Sequence, residues 1–273
     1  MTLTRHSLAA GFTLTELAVV LVIVALLLGG LLVPLSSQQE IRYRQDTEKT
    51  LATARESLIG YVAANGRLPC PADPTIASGT SGAGQEATNN LAGASLACTC
   101  TTSTSDVSKY YASSPTYCPV GSANTVSGVL PWSTLGLPEG DAWNRRFTYR
   151  VTYDFSRGIG QTTFSAGCVP TSNPTQAAFA ICSVGGITVN TAQSGGTTLA
   201  STVPALILSH GKNGVGAYQS DGSQVGGSST ADEQENSNFG NATFVSNSGI
   251  DDQMTWLPLP LLMSRMLAAG KLP

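Results

Sequence analysis

Glu16 is the only charged residue in an otherwise apolar stretch, FTLTELAVVLVIVALLLGGLLVPL, which begins at Phe12. A carboxylate one turn inside an apolar helix is costly, so such a residue normally serves a function or meets a partner charge. The alternative is an acid that snorkels to an interface or becomes protonated. Gly11, a small residue, stands immediately before this stretch. Glu16 is therefore the first candidate functional residue.

Acidic residues near the carboxyl terminus suggest a second kind of chemistry. Calcium takes roughly six to eight oxygen ligands from carboxylates, amides and backbone carbonyls. A solvated acidic loop is the alternative, and the spacing does not match an EF-hand loop. The candidate calcium ligands are Asp232, Glu233, Glu235, Asp251 and Asp252.

Six cysteines follow the apolar stretch, and their even number predicts disulfides on an exported chain. Cys98 and Cys100 are too close in sequence to bond to each other. Cys70 and Cys118 are their natural partners, and Cys168 with Cys182 would close a loop of hairpin size; the full connectivity stays open. Metal binding by Cys98 and Cys100 is disfavoured because the paired spacing of zinc modules is missing.

The remaining composition argues against an enzyme and against a nucleic-acid partner. Lys plus Arg number 14 against 17 Asp plus Glu, so there is no general attraction for phosphate. The sequence has no Gly-x-Ser-x-Gly elbow, phosphate loop or zinc histidine cluster. Ser209 and His210 are adjacent, and adjacent strand residues point to opposite faces, so they do not predict a catalytic pair.

The apolar stretch predicts a helix that crosses a membrane at about residues 12–35. Its length as a helix would be ~36 Å, enough for a bilayer core. The basic leader, residues 1–11, is expected in the cytoplasm and the remainder outside. We therefore expect a single-pass protein of the bacterial inner membrane with a periplasmic carboxyl-terminal domain.

The helical pattern continues beyond the apolar stretch, with Leu51, Ala54, Leu58 and Val62 on one face. Gly66 is expected to end the helix, and Pro34 to kink it. We predict a leader over 1–11, a helix over 12–66 and an extracytoplasmic globular domain over 67–273.

The globular domain should contain strands and a loop-rich insertion. The insertion covers about residues 71–128 and is rich in Gly, Ser, Thr and Asn. Segments 147–155, 177–183 and 205–209 are strand-like, and 259–269 predicts a short closing helix. The expected fold class is α+β: a long amino-terminal helix, membrane-spanning in its first half, packed on an antiparallel sheet with a disulfide-containing loop-rich insertion.

The segment from Gly11 to Glu16, Gly-Phe-Thr-Leu-Thr-Glu, resembles the processing motif of type IV prepilins and type II secretion pseudopilins. The resemblance implies cleavage between Gly11 and Phe12 by a prepilin peptidase, which also methylates the new amino terminus. It further implies that Glu16 pairs with the Phe12 ammonium of a neighbouring subunit. The implied partners are other pilin or pseudopilin subunits, an assembly platform and its ATPase.

Three later segments strengthen the resemblance to major pseudopilins. Residues 136–149 are similar to that family's Asp-Pro-Trp-Gly-x-x-Tyr-x-Tyr segment, with departures at Ala142 and Arg145; the second departure removes the expected turn glycine or shifts it to Asn144. Residues 209–214 and 249–256 resemble the family's Ser-Tyr-Gly-x-Asp-Gly and Asp-Ile-x-Ser-Trp segments. In those relatives the carboxyl-terminal region forms a calcium site.

We therefore expect a structural filament subunit of a type IV pilus or a type II secretion pseudopilus. Cleavage would leave 262 of the 273 residues, which is large for a main pilin and favours a minor or specialised subunit. One alternative is a filament-displayed adhesin or DNA-uptake subunit with a basic patch around Arg145, Arg146 and Arg150. Another is an anchored protein that does not polymerise.

Overall fold

The structure is a computed structural model that describes residues 11–89, 97–98, 125–160, 167–170, 172–227, 229–238 and 242–272, without the side chains of 28–37, 88–89 and 97. The helices in this part of the chain are α1 (Leu14–Asn65), α2 (Trp132–Leu135), α3 (Tyr153–Ser156), α4 (Ala231–Asn236) and α5 (Leu259–Ala268). The strands are β1 (Thr88–Asn89), β2 (Ala97–Cys98), β3 (Thr125–Val129), β4 (Thr148–Thr152), β5 (Ile187–Asn190), β6 (Thr198–Val203), β7 (Ala205–Ser209), β8 (Thr243–Val245) and β9 (Gln253–Leu257).

The chain divides into two units, Met1–Tyr43 and Arg44–Pro273, so the division falls inside α1. The predicted boundary between residues 66 and 67 falls at the end of α1. The second half of α1 belongs to the globular unit.

The expectation of a membrane-spanning first half of α1 is wrong. Among the residues that the structure describes, no helix combines the length and the apolarity needed to cross a membrane. Helix α1 has 52 residues, and charged residues occur along it from Glu40 onward. The predicted single-pass inner-membrane localisation fails with it. The kink at Pro34 lies outside the described side chains and stays a prediction.

The apolar stripe on the second half of α1 is confirmed. Leu51, Ala54, Leu58 and Val62 are at most 3% exposed and belong to the main hydrophobic core. Gly66 follows the last residue of the helix with a positive φ of 71°, and a Cβ there would lie 2.0 Å from the backbone oxygen of Gln176. Glycine is therefore required at this stop.

A four-stranded antiparallel sheet covers this stripe, with strand order β3-β4-β7-β9. Its inner face contributes Tyr149, Val151 and Ile207 to the core shared with α1. The predicted strands at 147–155 and 205–209 correspond to β4 and β7. The predicted closing helix corresponds to α5, whose Leu262 and Met266 are buried in the same core.

The predicted strand at 177–183 is wrong. Its residues Ala177–Ala180 are buried, but they pair with no strand in the described part of the chain. Ser183 folds back onto Ala180, donating its backbone N–H to the Ala180 oxygen at 2.9 Å and accepting the Ala180 N–H on its hydroxyl at 3.0 Å. This local turn consumes the backbone groups that a strand ladder would need.

A second, three-stranded sheet has the order β6-β5-β8 and was not predicted. The β5–β6 pair is antiparallel, whereas β5 and β8 run parallel. Ile187, Val189 and Phe244 of this sheet meet Leu206 and Leu208, on the outer face of the first sheet, to form a second apolar cluster. The fold is thus α+β with two packed sheets.

Two disulfides tie the globular unit, Cys70–Cys98 and Cys168–Cys182. Both agree with the partners suggested by the spacing. Cys100 and Cys118 lie outside the described residues. The expected insertion at 71–128 is described only in part, and there it contains the β1–β2 pair and β3.

Candidate functional site

The backbone at Gly11 and Phe12 precedes the helix and is exposed. Helix α1 begins at Leu14, so both residues lie in non-helical chain, and Phe12 is 84% exposed. A Cβ at Gly11 would meet nothing within 4 Å, so the fold itself does not demand glycine there. The bond between Gly11 and Phe12 therefore lies in exposed, non-helical chain.

Glu16 closes the first turn of α1 together with Thr13, which the sequence analysis missed. The backbone N–H and the hydroxyl of Thr13 donate to Oε2 of Glu16 at 2.9 and 2.8 Å, and the Glu16 N–H donates to the Thr13 hydroxyl at 3.3 Å. This reciprocal arrangement is a capping box, and its Thr-x-x-Glu spacing was visible in the sequence. The Thr13 donors lower the pKa of Glu16 and keep it ionised.

Apolar side chains surround α1 after this cap. Six consecutive residues, 19–24, are large, aliphatic and exposed. Because an α-helix turns once in about 3.6 residues, six consecutive positions cover its whole circumference. A helix that is apolar on every side is stable in water only when other apolar surface covers it.

In the globular unit, Asp141 organises a tight turn that continues to Arg145. Asp141 Oδ1 accepts the backbone N–H of Trp143 at 2.9 Å and that of Arg145 at 3.0 Å. The backbone N–H of Asn144 donates to the backbone oxygen of Asp141 at 3.0 Å, and Asn144 has a φ of 60°. Asn144 therefore occupies the left-handed turn position that glycine would fill, which was one of the two expected outcomes. Asparagine tolerates this conformation.

The loop Ser209–Gly214 packs against this turn. The Ser209 hydroxyl donates to Asp141 Oδ2 at 2.6 Å, and Arg145 Nη1 donates to the backbone oxygens of Gly211 and Lys212, both at 2.7 Å. Ser209 and His210 therefore bond to different partners, because His210 Nε2 lies 2.9 Å from the Thr148 hydroxyl. They do not form a nucleophile–base pair.

Glu233, Asp251 and Asp252 converge beyond the same loop, and we call them the acidic cluster. One carboxylate oxygen from each lies within 4.8 Å of the others. The Asn213 backbone N–H donates to Asp251 Oδ2 and its side-chain amide donates to Glu233 Oε1, both at 2.7 Å. The structure thus unites three of the five predicted ligands.

The other two predicted ligands serve different contacts. Asp232 accepts the Gln193 N–H at 2.8 Å and the Asn247 amide at 2.7 Å, and Glu235 accepts the Gln193 amide at 3.1 Å. Both fasten α4 to the segments that follow β5 and β8. They are structural acids in this fold.

Burial of the acidic cluster disfavours the charged forms of two of its members. Burial and the neighbouring acids raise the pKa of Asp252 to about 7, although the Asn236 amide donates to it at 2.7 Å. Burial also raises the pKa of Asp251, and its Oδ1 is buried without a hydrogen-bond partner among the described residues. Three carboxylate oxygens within 4.8 Å of one another are close enough to be shared ligands of one cation with Ca–O distances of about 2.4 Å.

His210 is the one buried imidazole near this region. It is 1% exposed, and burial together with Arg145 lowers its pKa to about 4. The side chain is therefore neutral at physiological pH. Its hydrogen bond to Thr148 makes it a structural residue of the sheet edge.

The arginines expected to form a basic patch do not lie together on the surface. Arg146 and Arg150 are each 1% exposed. Arg146 pairs with Glu139 at 2.8 Å and lies over the Trp132 ring, and Arg150 donates to the Thr125 hydroxyl at 2.8 Å. A DNA-binding patch at this position is therefore not supported.

Comparison of the chain with protein-family models, with curated proteins and with solved structures gives no match in any of the three. The two candidate sites of this chain are the segment around Gly11, Thr13 and Glu16, and the acidic cluster.

Proposed function

We propose that this chain is a structural subunit of a filament, of the type IV pilus or type II secretion pseudopilus kind, and a minor or specialised one. It is made as a prepilin that is cleaved between Gly11 and Phe12 and methylated on Phe12. It assembles through the apolar first part of α1. Glu16 then pairs with the Phe12 ammonium of the next subunit.

The observation that carries this proposal is the apolar surface surrounding residues 19–24. Burying one such aliphatic side chain contributes about 1.5–3 kcal/mol, so neighbouring copies of the helix gain a large stabilisation by covering one another. A head-to-tail contact of this kind repeats without closing and so builds a filament.

The state of Glu16 supports the same proposal. Its Oε2 is occupied by Thr13, while Oε1 has no hydrogen bond among the described residues. An ionised carboxylate with one available oxygen suits an ammonium partner, because opposite charges brought together offset each other's cost in apolar surroundings.

Two substitutions test cleavage and assembly separately. Gly11→Val is expected to leave the leader attached, as shown by mass spectrometry of the amino-terminal peptide. Glu16→Ala is expected to be cleaved and methylated but depleted at least tenfold from sheared filaments. Gly60→Ala, whose Cβ would also meet nothing within 4 Å, and Glu56→Ala, which removes an exposed acid of the same helix, are matched controls. Normal incorporation of Glu16→Ala would overturn the pairing.

We also propose that the acidic cluster holds a calcium ion that stabilises the globular unit. Glu233, Asp251 and Asp252 would supply the carboxylate ligands, and a bound cation would offset their mutual repulsion. Asp251 Oδ1, which is buried and receives no hydrogen bond from the residues that the structure describes, supports this proposal.

Calcium is expected to raise the melting temperature of the purified chain, and a chelator to lower it again. In Asp252→Asn the increase should fall by more than half. Asp221→Asn, which changes an exposed acid in another loop, should respond like the unmodified chain. A melting temperature that changes with neither calcium nor chelator would refute the proposal.

A further inference from the structure

The loop between Ser209 and Gly214 has two electrostatically opposite sides. On one side, the carbonyl oxygens of Gly211 and Lys212 converge on Nη1 of Arg145, each at 2.7 Å. On the other side, the N–H and the side-chain amide of Asn213 donate to the acidic cluster. The Arg145 guanidinium thus donates to backbone oxygens of the loop, and carboxylates of the acidic cluster accept from the N–H groups of Asn213.

The fit on both sides is close. A Cβ on Gly214 would lie 2.0 Å from Arg145 Nη1, and a Cβ on Gly211 would lie 2.2 Å from the Asp251 oxygen. Both glycines have positive φ, 64° and 57°. Side chains at these positions would push the loop away from Arg145 or from Asp251, so the two glycines permit the contact on each side.

Arg145 is itself fixed before it reaches the loop. Its N–H donates to Asp141 Oδ1 at 3.0 Å, and the Asp141 N–H donates to the Arg145 oxygen at 2.8 Å. The other oxygen of Asp141 accepts the hydroxyl of Ser209, at the start of the loop. Asp141 therefore fixes the turn that carries Arg145 relative to the loop that Arg145 contacts.

We infer that Arg145 is a positioning residue for the acidic cluster, acting through the loop Ser209–Gly214. Its charge holds the Gly211 and Lys212 carbonyls, and this places the two donors of Asn213 on Asp251 and Glu233. The side chain supplies a fixed cation for backbone oxygens, a task for which loops commonly use a bound metal ion. The inference concerns the loop itself and stands apart from filament assembly; only its calcium arm rests on the calcium proposal.

Hydrogen exchange of the full chain in the presence of a chelator tests this directly. In Arg145→Met, the Asn213 amide is expected to exchange at least about tenfold faster, because the loop loses the charged hydrogen bonds that hold the Gly211 and Lys212 carbonyls. Arg145→Lys keeps a charged donor and should restore most of the protection. Arg265→Met removes an exposed arginine on α5 and should leave the Asn213 amide unchanged.

Two outcomes would overturn the inference: unchanged Asn213 exchange in Arg145→Met, or loss of protection in Arg145→Lys as large as in Arg145→Met. If Arg145→Met also unfolds β4, the exchange rate of the Asn213 amide is compared between Arg145→Lys and the unmodified chain instead. Calcium titration forms the second arm, in which Arg145→Met should bind at least about tenfold more weakly than Arg145→Lys. If the unmodified chain binds no calcium, the calcium proposal fails, and the exchange result alone decides the role of Arg145.

Discussion

Ser209 donates a 2.6 Å hydrogen bond to Asp141, and this bond joins two buried residues that lie far apart in the sequence. The other oxygen of the same carboxylate holds the turn that carries Arg145. Asp141 therefore links the turn and the loop from which the acidic cluster is organised. Burial raises the pKa of Asp141, and its three donors oppose that rise.

Ser209→Ala is expected to destabilise the globular unit by about 1–3 kcal/mol, because it leaves a buried carboxylate oxygen without its donor. Ser223→Ala is the matched control. Ser223 also donates to an aspartate, Asp221, at 2.6 Å, but both residues are exposed. Urea unfolding should show a change within about 0.5 kcal/mol for the control. If the two substitutions lowered the unfolding free energy equally, burial would not be the reason that the Ser209–Asp141 bond stabilises the fold.

Thr13→Val should loosen the first turn of α1, because it removes the hydroxyl that accepts the Glu16 N–H and donates to Glu16 Oε2. Loss of a cap costs about 1 kcal/mol, which corresponds to roughly fivefold faster exchange of the Leu17 amide that donates to the Thr13 oxygen. Thr13→Ser keeps the hydroxyl and should exchange like the unmodified chain. Thr53→Val, in the middle of the helix, controls for β-branched substitution. If Thr13→Ser and Thr13→Val exchanged alike, the hydroxyl would have no capping role.

His210 predicts a loss of stability in acid. An unfolded histidine binds a proton below pH 6.5, whereas the buried side chain has a pKa of about 4. The unfolded state therefore binds more protons between these values, so this stability is complete above pH 6.5 and is lost as the pH falls to 4. The full difference is about 3 kcal/mol.

The contribution of His210 is measured by comparison with His210→Gln, which keeps a nitrogen near the Thr148 hydroxyl. The difference in unfolding free energy between the two chains should shrink by about 3 kcal/mol on going from about pH 7 to about pH 4. Asp252 has a raised pKa and so an opposite pH dependence, but it is present in both chains and cancels in the difference. A difference that does not vary with pH would contradict the assignment.

Features set by neighbouring residues could be predicted from the sequence. The stripe on the second half of α1 follows from helical spacing, and the end of the helix follows from Gly66. The left-handed turn at Asn144 was one of the two outcomes that the family resemblance of residues 136–149 implied. In each case the deciding residues lie within a few positions of one another.

Contacts between distant segments could not be predicted. Arg145 and Gly211 are 66 residues apart, and no spacing rule reports that a guanidinium will meet those carbonyls. The parallel pairing of β5 with β8 could not be predicted for the same reason, because the two strands are also far apart in the sequence. The membrane-spanning helix was wrongly predicted because apolar composition reports a preference for apolar surroundings and does not by itself specify lipid.

The central claim is that Phe12 becomes the amino terminus of an assembled subunit and meets Glu16 of a neighbour. Mass spectrometry of sheared, purified filaments tests it most directly. The account predicts an amino-terminal peptide that begins at methylated Phe12, and a chemical crosslink between that terminus and Glu16 of another copy. Filaments that lack the chain, or that contain it with residues 1–11 still attached, would contradict the account.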